Sequence, residues 1–436
     1  MDMKRCEVSG NRHPAPLHMF GGLAYASRVN PSQPMSADAY LDHAATTPIR
    51  PAALAAWAQN AEQVGNPSSL HNAGRASRRV VEEAREAIAA NLGVRPNDVV
   101  FTSGGTEADN IAIKGLYWRA IAENPGTSTL VVSPTEHHAV LDAVTWLVDN
   151  QGASVAWIPV DSQGLLDLGW LSDYLAVNAK DVALVAAMWA NNETGVISPI
   201  DTVAELCAEY GVALHCDAVQ SAAWLPGPGS WLRGPSAIAI SGHKFGAPVG
   251  IGALVLNGVT PQPLTHGGGQ EIDIRSGTVA TALIAAMAAA LDEAVRDQAA
   301  DVARLSGLTR ELTAALLTAV PDVVINISDA QRLPTITSAS FPGCKADSLL
   351  MLLDAANVAC SAGSACTSGV PRPSHVLAAM GLSNDRATSS LRFSLGWDSS
   401  SADIDALASA LPAAVARSRQ ATSRATLPRS KVQVRP

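Results

Sequence analysis

The sequence predicts an α/β protein, with a large domain built on a mostly parallel sheet and a smaller α+β domain after it. Three observations predict this. From about Ser36 onward, short β-branched runs alternate with Ala-rich helical stretches, the pattern of strand-helix-strand units. The chain has 436 residues, too many for one core, because single cores stop growing near roughly 250 to 300 residues. A long Ala-rich stretch from Thr281 to about Val320 nearly lacks Gly and Pro, which predicts two helices leading out of the first domain.

Strands are expected at 99–102, 129–133, 154–158, 182–188, 213–216, 237–241 and 252–256, with helices such as 76–92, 106–117, 139–150 and 200–210 between them. Residues 49–300 are assigned to the large domain, and 35–48 together with 301–420 to the small one. Residues 1–34 show neither the apolar core of a secretion signal nor an amphipathic pattern, and are expected to be a disordered extension. The polar, basic residues 421–436 are expected to fray.

Composition excludes some functions. A net charge of -9 gives no global positive field to draw a nucleic acid backbone, and no apolar run approaches the roughly 20 residues of a membrane-spanning helix. The six cysteines (Cys6, Cys207, Cys216, Cys344, Cys360, Cys366) show no paired spacing of a zinc site, so no metal is expected and a reducing cytoplasm is favoured.

Three strand ends carry chemistry. The apolar run 99–102 leads through Ser103-Gly104-Gly105-Thr106 into a helix whose N-terminal amides can hold a phosphate, although an ordinary strand-to-helix turn looks the same. Asp217 follows directly on the strand at 213–216, as a loop cap or as a ligand contact at the carboxyl edge of a sheet. Lys244, in Ser241-Gly242-His243-Lys244, follows the strand at 237–241, and taken alone it is read as a snorkelling lysine. Together they match the parts a pyridoxal phosphate (PLP) site needs: a lysine for a Schiff base, a carboxylate for the pyridine nitrogen and a phosphate cradle.

The ordered motifs Leu41-Asp42-His43-Ala44-Ala45-Thr46-Thr47-Pro48, Ser103 to Asn110, Thr135-Glu136-His137-His138, Asn191-Asn192-Glu193-Thr194-Gly195, Ser241 to Lys244, Gly267-Gly268-Gly269-Gln270-Glu271 with Arg275-Ser276-Gly277-Thr278, and Ser361-Ala362-Gly363-Ser364-Ala365-Cys366-Thr367 resemble those of the NifS/IscS-like cysteine desulfurases. These are fold-type I PLP enzymes of the class V aminotransferase group, and the resemblance runs from about Tyr40 to Gly396. It implies a seven-stranded sheet, a homodimer, L-cysteine as substrate, and a sulfur-acceptor protein in iron-sulfur cluster assembly or in tRNA or cofactor thiolation.

The resemblance also implies roles. Lys244 holds PLP and moves protons at the substrate Cα, Asp217 pairs with the pyridine nitrogen, and Gln220 donates to the ring's phenolic oxygen. His137 stacks on the cofactor and assists proton transfer, its alternative being a helix cap. Gly105, Thr106, Ser241 and His243 hold the phosphate, with Thr278 reaching in from the other subunit. Arg392 and Asn192 grip the substrate carboxylate, the alternative for Arg392 being a structural ion pair. Cys366, in a run of small polar residues, carries the persulfide, whereas Cys360 ends a buried strand at 357–360.

One departure stands in the motifs: Ile272-Asp273 where the family commonly has an arginine after Gln-Glu, which removes a positive charge near the expected rim. A selenocysteine lyase of the same fold is the nearest alternative. An aminotransferase needs no thiol such as Cys366, and a non-catalytic scaffold needs none of Lys244, Asp217, His137 and Cys366.

Overall fold

The computed structural model describes residues 39–225, 234–363 and 373–426. Residues 1–34, Cys366 and the last ten residues lie outside them. The strands are, in chain order, β1 (Ala39–Tyr40), β2 (Val99–Thr102), β3 (Thr129–Val132), β4 (Ser154–Trp157), β5 (Val182–Ala186), β6 (Leu214–Asp217), β7 (Ala237–Ser241), β8 (Gly252–Leu256), β9 (Val324–Ile325), β10 (Ile336–Ser340), β11 (Val358–Ala359) and β12 (Ser390–Ser394). Seven form one sheet in the order β2-β8-β7-β6-β5-β3-β4, parallel except for β8, which runs antiparallel to both neighbours. The seven strands read from sequence are therefore all present, and the sheet is the mostly parallel one expected.

Strand alternation divides the apolar residues between two cores. Val100, Leu130, Leu184, Ala239 and Leu254 pack with helices Gly105–Glu123 and His138–Gln151 on one face. On the other, Phe101, Val131, Leu214, Cys216, Ile238 and Val255 meet helices Asn72–Leu92, Ile200–Glu209 and Thr281–Ala319. Each fully buried side chain of this size contributes on the order of 1.5 to 3 kcal/mol. On β6, Leu214 and Cys216 belong to the second face, so His215 and Asp217 point toward helix Gly105–Glu123. Edge strand β4 departs from the buried pattern, with Ser154 and Trp157 exposed.

The two helices expected between Thr281 and Val320 are one helix of 39 residues, Thr281–Ala319. Its one glycine, Gly307, costs about 1 kcal/mol, and no proline interrupts the ladder. Packing overrides that cost: Thr281–Ala319 contacts helices Pro51–Ala61 and Asn72–Leu92 as well as helix Ser401–Thr426. A domain boundary at residue 300 therefore falls inside a continuous helix. Helix Ser401–Thr426 likewise continues past residue 420, so 421–426 are helical and not frayed. Among the described residues no helix is long and apolar enough to cross a membrane.

The remaining strands form a three-stranded antiparallel sheet, β12-β10-β9, and a two-stranded parallel pair, β1-β11. Strand β11 stops at Ala359, so Cys360 stands just beyond it and is half-buried.

Candidate active site

Strands β2, β6 and β7 end at one edge of the sheet, where α/β proteins bind ligands. Thr102 and Ser241 both pair with Gly252, which fixes that alignment. A Cβ at Gly252 would lie 2.7 Å from the Gly104 Cα, so only glycine admits the turn that follows β2. A cavity of about 510 Å³ opens there, lined by Gly105, His137, Asp217, Lys244 and Arg392 among others.

Lys244 ends the short helix Gly242–Lys244 that directly follows β7. Its Nζ donates to the carbonyls of Ala44 at 2.7 Å and Ala45 at 2.8 Å. Burial lowers its pKa to about 8, helped by the Arg392 charge and opposed by Asp217 and Asp42. The buried Asp217 carboxylate accepts the Val219 N–H at 2.8 Å. Burial, with the Asp109 charge, raises it to about 7. Such a carboxylate favours a cation at its free oxygen, which is what a protonated pyridine nitrogen offers.

The N-terminus of helix Gly105–Glu123 opens onto the same cavity, and Gly105 allows close packing, since a Cβ there would meet Val219 at 2.7 Å. Thr106, Ser241 and His243 line the cavity beside it. His243 pairs with the Thr46 hydroxyl at 3.2 Å and burial lowers it to about 4. These donors, the buried carboxylate and the lysine fit PLP in kind and arrangement.

His137 precedes helix His138–Gln151, and its Nδ1 accepts the Ala139 N–H at 3.1 Å. The imidazole is therefore both a cap and a cavity residue. Burial and the nearby Lys244 charge lower it to about 4, so it is neutral near pH 7 with its proton on Nε2.

Arg392, in the buried strand β12, donates to the Asn192 carbonyl at 2.8 Å and forms an ion pair with Asp42 at 2.7 Å. The structural ion pair that was an alternative at the sequence level thus exists, beside a position in the cavity. Gln220 donates its Nε2 to the Ala44 carbonyl at 2.8 Å and lines the cavity too. Thr278 does not join them: it is exposed and lines a separate cavity with Arg85 and Glu271. Cys366 lies outside the described residues, while Gly363 and His375, on either side of it in the chain, line the Lys244 cavity.

Sequence reasoning missed four groups. Asp42 stands in the motif at 41–48, but nothing there marked it as an arginine partner. Asp109 pairs with His215 at 3.0 Å, both buried, and Asp109 lines the cavity together with Asp217. Burial raises Asp109 to about 8. Glu193 is buried, accepts the Ser374 hydroxyl and is held above the usual carboxylate range by burial. His375 donates its Nε2–H to the Glu136 carbonyl at 2.8 Å, and its ring meets His138 edge-on. The imidazole pairs could have been sought from the His-His dipeptide at 137–138.

Residues 39–407 match the class-V aminotransferase family. The chain is 50% identical over 385 residues to an IscS-like cysteine desulfurase of Mycobacterium tuberculosis, covering 88% of this chain and 98% of that one. It is 38% identical to the cysteine desulfurase IscS of Dictyoglomus turgidum, covering 85% and 93%. Among solved structures, a NifS-like protein from Rickettsia africae superposes with a TM-score of 0.77 at 30% identity, over 86% of this chain and 99% of that one. A structure described as SspA in complex with cysteine gives 0.71 at 30% identity, over 82% and 98%. With these matches spanning sheet, cavity and C-terminal strands alike, the chain belongs to the class-V aminotransferases and, within them, to the cysteine desulfurases.

Proposed function

We propose that the protein removes sulfur from L-cysteine, releases L-alanine, and carries the sulfur as a persulfide on Cys366 to an acceptor protein of iron-sulfur cluster assembly or of tRNA or cofactor thiolation. The observation that carries this reading is the convergence of Lys244, Asp217, His137 and Arg392 on one cavity at the carboxyl edge of the sheet.

PLP is the cofactor the donor set suits. Lys244 would hold it covalently, Asp217 its pyridine nitrogen, Gln220 its phenolic oxygen, and Gly105, Thr106, Ser241 and His243 its phosphate. When bound, PLP supplies an electron sink for the electrons left at the substrate Cα. The chain's residues do the rest. Asp217, ionised by its cationic partner, keeps that sink charged. Lys244, whose pKa burial lowers to about 8, is placed to take the Cα proton. His137, neutral and with Nδ1 occupied by the Ala139 N–H, offers its Nε2–H as a hydrogen-bond donor. Arg392 and Asn192 orient the substrate carboxylate. Cys366 as the sulfur carrier is supported by Gly363, three residues before it, and His375, nine after it, which both line the cavity.

A homodimer belongs to the same proposal, with the exposed Thr278 serving the partner's phosphate site. So does the division into a large domain and a small one, the small one joining the N-terminal β1 to the C-terminal part of the chain, supported by the pairing of β1 with β11. Incubation of the purified, PLP-loaded protein with L-cysteine and an excess of dithiothreitol, which reduces the persulfide and frees its outer sulfur as sulfide, tests the function: alanine and sulfide are expected in equal amounts, and Lys244→Ala should produce neither. Turnover of L-selenocysteine with none of L-cysteine would assign a lyase instead, and normal turnover by Lys244→Ala would remove the PLP assignment.

A further inference from the structure

Arg392 is already paired before any substrate arrives. Its Nη2 lies 2.7 Å from the Asp42 carboxylate and its Nη1 2.8 Å from the Asn192 carbonyl, while among the described residues its buried Nε has no partner. The backbone holds this arrangement from two sides. Asp42 bridges to Ser394 two residues beyond Arg392, and Ser361 exchanges both main-chain hydrogen bonds with Arg392 itself. The guanidinium is therefore fixed in place, and its positive charge is offset by a carboxylate that is partly open to solvent.

A substrate carboxylate entering at Arg392 would thus complete a row of anion, cation and anion. The second anion is held less tightly than it would be by an isolated guanidinium, because it also meets the charge of Asp42. Resting on the reading of Arg392 as the carboxylate grip, we propose that Asp42 is a positioning residue that sets the strength of this grip, aligning Arg392 while weakening its hold on any α-carboxylate. The consequence falls on product release. L-Cysteine and L-alanine carry the same α-carboxylate, so a grip that tightened on one would retain the other, and a moderated grip lets alanine leave. Asp42 also acts on Lys244, Tyr40 and Cys360, so its effect on the carboxylate has to be separated from those.

Asp42→Asn makes that separation. Asn keeps an oxygen for the Arg392 Nη2 and removes only the charge. The PLP-loaded protein is titrated with L-alanine and, in parallel, with L-alanine methyl ester, which has no carboxylate, binding being read from the visible absorbance of the cofactor. Removing one of two anions around a partly buried cation is expected to tighten L-alanine binding about tenfold, or ~1.4 kcal/mol, and to leave the ester unchanged. Unchanged or weaker L-alanine binding relative to the ester would overturn the proposal. Asp42→Ser repeats the comparison should the Asn variant not load PLP, and the ratio of the two ligands cancels any partial loss of loading. Arg392→Gln tests the underlying assignment separately: it should lose L-alanine binding and keep the ester, and wild-type L-alanine affinity there would remove Arg392 as the grip whatever Asp42 does.

Discussion

The His137 imidazole caps its own helix: Nδ1 accepts the Ala139 N–H at 3.1 Å, which commits the ring's proton to Nε2 and aims that donor into the cavity. Protonation would destroy the cap, which agrees with a pKa lowered to about 4.

The two duties of His137 separate by substitution. Asn caps helices well, so His137→Asn should keep the stability of the wild type to within ~0.5 kcal/mol, whereas His137→Ala should lose about 1 kcal/mol. Both should lose most turnover. Urea denaturation of the cofactor-free forms, set against alanine production, checks this, and equal stability losses in the two variants would refute the capping role.

Asp217 gives a prediction with a sign in pH. Its folded pKa of about 7 lies above the ordinary value of 3.8, so between these limits the folded state binds more protons than the unfolded chain, and stability falls as pH rises through that window. Above pH 7 the buried charge costs a few kcal/mol, at ~1.36 kcal/mol per pH unit. Cofactor-free Asp217→Asn should therefore melt higher than the cofactor-free wild type at pH 8, the gap closing as pH falls toward 4. With PLP present the order should reverse, because the variant has lost the anion that retains the cofactor. Melting curves at several pH values with and without PLP measure both halves.

Residues 271–273 form a strained, clamped corner. Glu271, Ile272 and Asp273 all have positive φ, of 48°, 52° and 61°. A β-branched residue in this region is unfavourable by roughly 1 to 2 kcal/mol. Glu271 holds the corner through a two-bond pair with the buried Arg85 and by accepting the Phe101 N–H. Glu271→Ala removes the two-bond partner of the buried Arg85, leaving it the half-exposed Glu82 and the Val99 carbonyl, and should cost about 3 kcal/mol. Ile272→Gly relieves the backbone at the expense of a more flexible unfolded chain, and should gain up to ~1 kcal/mol. Chemical denaturation of both variants checks the pair of opposite signs.

Much of this was legible in the sequence because short continuous apolar runs leave few ways to build anything but a buried strand: β2, β7 and β8 have the residues read for them. Residue types that need a partner at a strand end, such as Asp217 and Lys244, were legible for the same reason. What sequence did not carry was pairing across long separations. Arg392 and Asp42 are 350 residues apart, and Asp109 and His215 are 106 apart, and no local pattern links them. Helix length escaped too, because nothing within Thr281–Ala319 itself shows that three other helices pack along it as one unbroken element.

The central claim is that sulfur passes from L-cysteine to one thiol. Cys207, Cys216 and Cys344 are buried, and burial raises Cys207 and Cys360 to about 12, far from the thiolate that must attack. The direct measurement is mass spectrometry of peptides from the PLP-loaded protein after a brief pulse of L-cysteine. One added sulfur on the peptide containing Cys366, absent from Cys366→Ala, is the predicted result; the added sulfur on Cys360, or full alanine production by Cys366→Ala, would contradict it.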